Sequence, residues 1–182
     1  MRVLVLDTSA LVVGFNPISS RLPTYSVPEV ARELSLSGLP KTRFETALES
    51  GHLRIRTPRE ESCKKVSEEV RKLGEDGSLS EADFKILALA LDLRDEGEDP
   101  VVVSDDYAIQ NVAERLGVPY SSLATFGISY EFNWVLFCPA CYRRFPQSYP
   151  ENMCGICGTR LRRKVLRKRQ VKKKLGEDNA VA

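Results

Sequence analysis

Strand-like and helix-like segments alternate along residues 1–125, and this alternation constrains the fold more than any other feature. Residues 2–6 and 101–104 are short apolar runs that are typical of buried strands. Residues 80–94 show the clearest helical pattern, because a capping serine precedes acidic residues in the first turn and then a dense series of apolar positions. Such alternation predicts an α/β domain, with a parallel sheet and helices on its faces.

The segments between these follow the same pattern. Residues 25–36 begin as an extended segment and continue as a helix, with Pro28 suited to the first helical turn. Three more helices and one more strand are predicted, at residues 41–50, 60–73 and 107–116 and at residues 53–57. We expect this domain to end near residue 125.

Four of the five cysteines form two pairs with the same internal spacing, Cys138-Pro-Ala-Cys141 and Cys154-Gly-Ile-Cys157. Thiolates at this spacing can converge on one structural Zn²⁺, and an iron centre of the rubredoxin type is a lesser alternative. Two disulfides are disfavoured, because the N-terminal sequence predicts a strand rather than a secretion signal. Cys63 stands alone in a helical stretch and is expected to be structural.

Charge is distributed unevenly along the chain. Residues 1–159 carry 17 Lys and Arg against 23 Asp and Glu, whereas residues 160–174 carry 10 basic residues and no acidic one. A basic tail on an acidic body indicates a polyanionic partner, although a solvated tail that aids solubility is the simpler alternative. We expect a linker and a metal-dependent ribbon over residues 126–163, then a flexible basic tail over residues 164–182.

Carboxylates follow the predicted strands at points where ligands commonly bind to α/β sheets. Asp7 follows the first strand directly, and Asp105 and Asp106 follow the valine run at residues 101–103. Asp83 lies in the first turn of a helix, and Glu33 lies in a helix after a strand-like entry. If these ends meet, the cluster repels itself unless Mg²⁺ or Mn²⁺ neutralises it. Each acid also has a structural explanation, as a helix cap, a turn residue or a solvated side chain.

The order of these motifs resembles the PIN-domain nucleases. The matching motifs are, in chain order, Asp7-Thr-Ser, Pro28-x-Val-x-x-Glu33-Leu, Leu79-Ser-x-x-Asp83 and Ser104-x-Asp106. More narrowly, Tyr25-Ser-Val-Pro, residues 79–90, residues 106–112 and the cysteine module that follows look like the PIN endonucleases of the Nob type. The PIN-like region has no long insertion, and in this respect it resembles the archaeal forms of these enzymes. Those enzymes mature the 3′ end of small-subunit ribosomal RNA.

The resemblance implies which residues bind the catalytic metal. The family's metal-binding, catalytic acids fall on Asp7, Glu33, Asp83 and Asp106. Asp105 is an additional acid beside a matched position and could help to hold the metal. The implied reaction is hydrolysis of a phosphodiester assisted by Mg²⁺ or Mn²⁺. Ser9 or Ser104 could orient a water, and His52, the only histidine, is expected to be structural.

An acidic site repels RNA, so we expect RNA binding to come from the zinc module. The candidate RNA-binding residues are Arg143, Arg144, Arg160, Arg162 and Arg163. Tyr142, Phe145 and Tyr149 lie among them and could stack on unpaired bases, although Phe145 is better suited to the small core of the module. The basic tail would add affinity that depends on salt but not on sequence.

The prediction is therefore an endoribonuclease acting on precursor small-subunit rRNA in the pre-ribosomal subunit, with assembly factors as further partners. A catalytically silent RNA clamp and a toxin-type PIN ribonuclease are the alternatives. A phosphatase with an aspartyl nucleophile is disfavoured, because Asp7 lacks a second aspartate at residue 9. No apolar run approaches the roughly 20 residues of a membrane span, and we expect a cytoplasmic protein.

Overall fold

The computed structural model of the chain describes residues 1–34, 38–73, 77–123, 130–146 and 149–170. For residues 130–134 and 165–170 it describes the backbone alone. Within these ranges, no helix is both long enough and apolar enough to cross a membrane.

The first unit of the protein is a five-stranded parallel sheet. Its strands are β1 (Arg2–Leu6), β2 (Thr24–Ser26), β3 (Leu53–Ile55), β4 (Asp99–Val103) and β5 (Tyr120–Ser121), and their order across the sheet is β3-β2-β1-β4-β5. The central pair β1 and β4 is in register from Arg2 opposite Asp99 to Leu6 opposite Val103. Because these strands are parallel and paired in register, Asp7 and Ser104 directly follow their carboxyl ends on the same side of the sheet.

Six helices accompany the sheet in the described residues: α1 (Thr8–Val13), α2 (Pro28–Glu33), α3 (Gly38–Glu49), α4 (Glu60–Leu73), α5 (Glu81–Asp95) and α6 (Tyr107–Leu116). A single turn of 3-10 helix lies at Pro17–Ser19. The core is formed by the strands and by α5, whose residues from Ile86 to Leu93 are all buried. Burial on nearly all sides explains why the sequence of α5 is apolar around its whole circumference.

The second unit is a three-stranded antiparallel sheet built around the cysteines. Its strands are β6 (Tyr130–Phe137), β7 (Arg144–Phe145) and β8 (Arg162–Gln170), in the order β7-β6-β8. A small core holds Cys138, Cys154 and Leu161, with Phe145 and Tyr149 packed against it. Strand β6 contacts α4 and α6 of the first unit.

The α/β architecture and the ribbon that follows it agree with the prediction. Two local differences are informative. The tail was expected to start at residue 164, but β8 continues to Gln170 by pairing with β6, and the expected tail from residue 171 lies outside the described residues. Helix α1 had not been predicted, because its six residues show no helical periodicity and it lacks the proline that marks the first turn of the equally short α2.

Candidate active site

Asp7 stands at the point where β1 ends and α1 begins. It is the N-cap of α1, and its carboxylate accepts hydrogen bonds from the backbone amides of Thr8, at 2.6 Å, and Ser9, at 3.3 Å. The hydroxyls of Ser9 and Ser104 donate to its Oδ2 atom over 2.7 and 2.8 Å. Burial raises the pKa of Asp7, and these hydrogen bonds offset part of that rise. The carboxylate is therefore fixed in direction by four donors.

Asp106 lies beside Asp7 because β4 pairs with β1. It is the N-cap of α6, with Oδ1 accepting from the backbone amide of Ala108 at 2.6 Å. Its own backbone amide donates to Ser104 Oγ at 3.1 Å, so the same serine contacts both acids. The Asp106 side chain is exposed, unlike that of Asp7.

Asp83 enters the site from the first turn of α5. Ser80 and Asp83 form a capping box, in which the Ser80 amide donates to Asp83 Oδ2 at 2.7 Å and the Asp83 amide donates to Ser80 Oγ at 3.2 Å. Burial raises the pKa of Asp83 to about 6 against the lowering effect of the Ser80 hydrogen bonds, and the negative charges of Asp7 and Asp106 raise it further. The three aspartates therefore act on one another electrostatically.

Glu33 is held between two hydroxyl groups at the C-terminal end of α2. The Thr8 hydroxyl donates to Glu33 Oε2, and the Ser80 hydroxyl donates to Oε1 at 3.2 Å. Thr8 thereby connects Glu33 to Asp7, because its backbone amide donates to the Asp7 carboxylate. Ser80 connects Glu33 to Asp83, because its hydroxyl also accepts from the Asp83 amide. From the sequence, Ser80 was expected only to cap a helix, and no role was predicted for Thr8. The available signal was that each hydroxyl residue belongs to one of the acidic motifs, Asp7-Thr-Ser and Leu79-Ser-x-x-Asp83.

Asp105 has a different role from its neighbour. Its Oδ1 atom accepts from the backbone amide of Leu123 at 3.1 Å, and its own amide donates to Ser9 Oγ at 3.0 Å. The side chain thus fixes the segment after β5, while the backbone supports the serine that orients Asp7. Two adjacent acids at the end of one strand are explained by these separate tasks.

The donor set of the site fits a hard divalent cation. All four matched residues offer carboxylate oxygens, and within the described residues none of the four forms an ion pair with Lys or Arg. The hydroxyls of Thr8, Ser80 and Ser104 donate to these carboxylates, and no three of the carboxylates in the described ranges form a compact group like that of the four cysteine sulfurs. Four carboxylates that form no ion pair with Lys or Arg in the described residues repel one another, and a bound cation would reduce this repulsion.

The four cysteines form a compact group of sulfur atoms. All four Sγ atoms lie within 4.8 Å of one another, and the closest pairs, Cys138 with Cys157 and Cys141 with Cys154, are 3.4 and 3.5 Å apart. A disulfide would bring two sulfurs to about 2.05 Å, so the disulfide alternative does not apply. Sulfurs around a tetrahedral Zn²⁺ stand about 3.8 Å apart. Hydrogen bonds with Thr159 lower the pKa of Cys157, whereas the neighbouring thiols raise the pKa of Cys141, so the sulfur geometry rather than the thiol pKa values supports metal binding.

The five candidate arginines lie on the surface of the ribbon. Each of Arg143, Arg144, Arg160, Arg162 and Arg163 is exposed. The three aromatic candidates differ. Phe145 and Tyr149 contact each other with ring centroids 4.7 Å apart and belong to the small core, whereas Tyr142 is 78% exposed. His52 lies in the turn before β3, where its ring contacts the Ser50 hydroxyl, away from the acids.

Sequence comparison identifies relatives of this chain among known proteins. The family described as "PIN domain of ribonuclease" matches residues 4–93. "Endoribonuclease Nob1" of Methanocaldococcus jannaschii is 39% identical over 96% of this chain and 83% of its own length. "Endoribonuclease Nob1" of Methanothermobacter thermautotrophicus is 36% identical over 88% and 91% of the two chains. "Ribonuclease VapC1" of Thermoplasma acidophilum is 30% identical over 88% of this chain and 77% of its own length.

The two Nob1 relatives extend through the PIN unit and into the cysteine module, in agreement with the two-unit organisation seen in the structure. The chain belongs to the Nob1 family of PIN-domain endoribonucleases.

Proposed function

We propose that the protein cleaves precursor small-subunit ribosomal RNA at its 3′ end, on the pre-ribosomal subunit in the cytoplasm, with Mg²⁺ or Mn²⁺ as cofactor. The observation that carries this proposal is the group of four carboxylates beyond the carboxyl ends of β1 and β4, which the hydroxyls of Thr8, Ser80 and Ser104 link to one another. Family membership supports an RNA substrate, and the basic ribbon supplies the positive surface that the acidic site lacks.

Asp7, Glu33, Asp83 and Asp106 would hold the catalytic cation, with one or two ions in the site. When bound, the ion supplies a water of lowered pKa for in-line attack on phosphorus and positive charge facing the leaving oxygen. The cysteine module would hold one structural Zn²⁺ through Cys138, Cys141, Cys154 and Cys157.

The chain's own contribution is to fix the acids before RNA arrives. Ser9 and Ser104 orient Asp7, and Thr8 and Ser80 orient Glu33. Because these hydroxyls donate to carboxylate oxygens, Ser9 and Ser104 act as positioning residues rather than as the water-orienting groups suggested by sequence alone. A site that is oriented in advance avoids reorganisation during the reaction.

Binding of the RNA would fall to the ribbon. The five exposed arginines of the ribbon lie outside the acidic site, so they can contact phosphates without competing with the metal ion for the carboxylates. They are Arg143, Arg144, Arg160, Arg162 and Arg163. Assembly factors on the precursor subunit would determine when cleavage takes place.

A toxin-type ribonuclease is the second candidate, because a relative named VapC1 also covers most of the chain. Such an enzyme would cut free RNA at several positions without requiring the rRNA junction. The silent clamp is the third, and it would bind RNA without cutting it.

The test is cleavage of a labelled RNA that spans the mature 3′ end of the small-subunit rRNA, both free and within precursor subunits, in Mn²⁺, Mg²⁺ and EDTA. Asp106→Asn should abolish cleavage and keep the fold, since asparagine also caps helices. Asp105→Asn is the matched control, because its amide oxygen can still accept from Leu123, and it should retain activity.

A single metal-dependent product at the junction, lost only in Asp106→Asn, supports the proposal. Cleavage at many unrelated positions in both substrates would favour the toxin-type enzyme. Tight RNA binding with no cleavage in either substrate would favour the clamp.

A further inference from the structure

Two turns of the ribbon that hold the cysteines have the same backbone structure. In the first, the Tyr142 amide donates to the Cys138 carbonyl and the Cys138 amide donates to the Arg143 carbonyl, both over 2.9 Å. In the second, the Gly158 amide donates to the Cys154 carbonyl and the Cys154 amide donates to the Thr159 carbonyl, both over 2.8 Å. Tyr142 and Gly158 therefore occupy equivalent positions.

This position requires a left-handed backbone. The φ angle is +60° at Tyr142 and +69° at Gly158. Glycine adopts this conformation without strain, whereas a side chain with a Cβ atom is disfavoured there. Among the described residues, Tyr142 is the only non-glycine residue with positive φ. The turn therefore favours glycine, and the backbone conformation does not explain why a tyrosine occupies this position.

The Tyr142 ring also contributes nothing visible to folding of the ribbon. It is 78% exposed, while Phe145 and Tyr149 form the aromatic part of the small core. Across the part of the chain that the structure describes, the Tyr142 side chain makes no hydrogen bond or ring contact. A strained residue thus presents a large flat ring to solvent.

The surroundings of the ring indicate what it contacts. Arg143 and Arg144 follow it directly, and both are exposed. Ile156, at the tip of the equivalent second turn, is 60% exposed. An exposed aromatic ring that two exposed arginines follow directly in the chain matches a nucleotide, since the base can stack on the ring while its phosphates contact the arginines. Bases within a duplex are already stacked on one another and do not offer this face.

We infer that Tyr142 is a stacking platform for an unpaired RNA base, and that Arg143 and Arg144 hold the adjoining phosphates. This inference rests on the proposed function and deepens it, because it identifies single-stranded RNA as the form that the first cysteine turn recognises. A duplex of the same length would be held by the arginines alone.

The test compares binding of a short unstructured RNA and a duplex of equal length by the full zinc-loaded chain, using fluorescence anisotropy. Three variants of Tyr142 separate the effects of the aromatic ring, the size of the side chain and the strain of the backbone. Tyr142→Gly removes the ring and relieves the backbone, as Gly158 shows. Tyr142→Leu keeps an apolar side chain under the same strain, and Tyr142→Phe keeps an aromatic face.

Tyr142→Gly and Tyr142→Leu are expected to weaken single-stranded binding about tenfold and duplex binding less than twofold. Tyr142→Phe should bind within twofold of wild type. The loss in Tyr142→Gly should be independent of salt, whereas Arg143→Gln should reduce the slope of affinity against salt concentration. Emission of 2-aminopurine in the RNA should be quenched by wild type but not by Tyr142→Gly.

Equal affinities of wild type and Tyr142→Gly for single-stranded RNA would overturn the inference. Equal losses of affinity for single-stranded and duplex RNA would also overturn it, as would wild-type affinity of Tyr142→Leu for single-stranded RNA. Cleavage of the rRNA junction is measured separately with the same proteins. If wild type shows the Tyr142 effect but cuts no RNA, the proposed function fails and the inference stands. If wild type cuts at the junction and Tyr142→Gly binds normally, the inference fails and the proposed function stands.

Discussion

Ser104 Oγ lies 2.8 Å from Asp7 Oδ2 and donates a hydrogen bond to it, although 97 residues separate the two in sequence. The same hydroxyl accepts from the backbone amide of Asp106 at 3.1 Å, so one serine fixes the relation between two of the acids. This contact depends on the pairing of β1 with β4 and is the most direct link between the sheet and the site.

If Asp7 holds the metal as proposed, Ser104→Ala is expected to lower kcat/KM for RNA cleavage by about 10- to 100-fold, the usual effect of removing a hydrogen-bond partner of a metal ligand. The half-saturating Mn²⁺ concentration should rise with it, because Asp7 loses one of its orienting donors. Cleavage rates across a Mn²⁺ titration measure both quantities. Ser50→Ala, in the exposed turn after α3, is the control, and an equal loss there would refute a specific role for Ser104.

Asp83 should make the metal-free protein less stable at neutral pH. Its pKa rises from 3.8 to about 6 on folding, so the fold favours the protonated form and is destabilised once this carboxyl ionises. In EDTA, Asp83→Asn is therefore expected to be more stable than wild type at pH 7.5 by about 1–2 kcal/mol. The difference should narrow as the pH falls through 6 and close near 4.

Chemical denaturation of both proteins across this pH range measures the difference. Saturating Mn²⁺ should reverse the order at pH 7.5, because the ion stabilises the wild-type site by binding to the folded state. A stability difference that does not change between pH 7.5 and 4 would contradict the electrostatic origin.

Removal of zinc should unfold the ribbon and leave the parallel sheet intact. The core of the ribbon is too small to be stable alone, whereas the sheet has its own large core. Trp134 is the only tryptophan and lies in β6, so its fluorescence reports on the ribbon. A strong chelator is expected to release one Zn²⁺ per chain and shift the Trp134 emission, while far-UV helicity is retained.

Cys154→Ser should reproduce this shift without chelator, and Cys63→Ser is the control because Cys63 lies outside the sulfur cluster. A red protein, instead of a colourless one, would identify iron rather than zinc. Loss of helicity together with zinc would show that the two units unfold as one.

Asp92 is expected to be the most sensitive acid for stability outside the site. It is 1% exposed and accepts from the Arg59 amide at 2.6 Å, Arg59 Nε at 3.0 Å and Ser62 Oγ at 2.5 Å. Burial raises the pKa of Asp92, but the hydrogen bonds from Ser62 and Arg59 outweigh this and lower it. Asp92→Ala leaves these donors unpaired at the start of α4 and should cost about 3 kcal/mol of unfolding free energy.

Asp95→Ala is the matched control, since Asp95 is partly exposed and forms surface ion pairs with Lys65 and Arg59. Its expected cost is about 0–1 kcal/mol. Urea denaturation of both variants measures the contrast, and similar costs for the two would disprove the assigned role of Asp92.

The helices with strong periodicity or clear caps could be predicted from sequence. Helix α6 occupies the predicted residues 107–116, and α4 the predicted residues 60–73. Strand β8 was missed because its run of Arg and Lys has low β-propensity, and only its pairing with β6 makes it a strand.

The candidate site could likewise be predicted only in part, because some of its contacts depend on residues far apart in sequence. The four acids could be named from their motifs, but the difference between Asp105 and Asp106 depends on which backbone each carboxylate faces. The contacts of Thr8 and Ser80 with Glu33 span 25 and 47 residues, and local sequence carries no information on such pairs.

The strand order β3-β2-β1-β4-β5 also sets the order in which the acidic site can assemble during synthesis. A ribosome that has made only the first half of the chain has released β1, β2 and β3, so one side of β1 still has no neighbour. Strand β4 fills that place and brings Ser104 and Asp106 with it. The site therefore stays incomplete until β4 has joined β1 at the centre of the nascent sheet, whereas the residues of the cysteine module are made only afterwards.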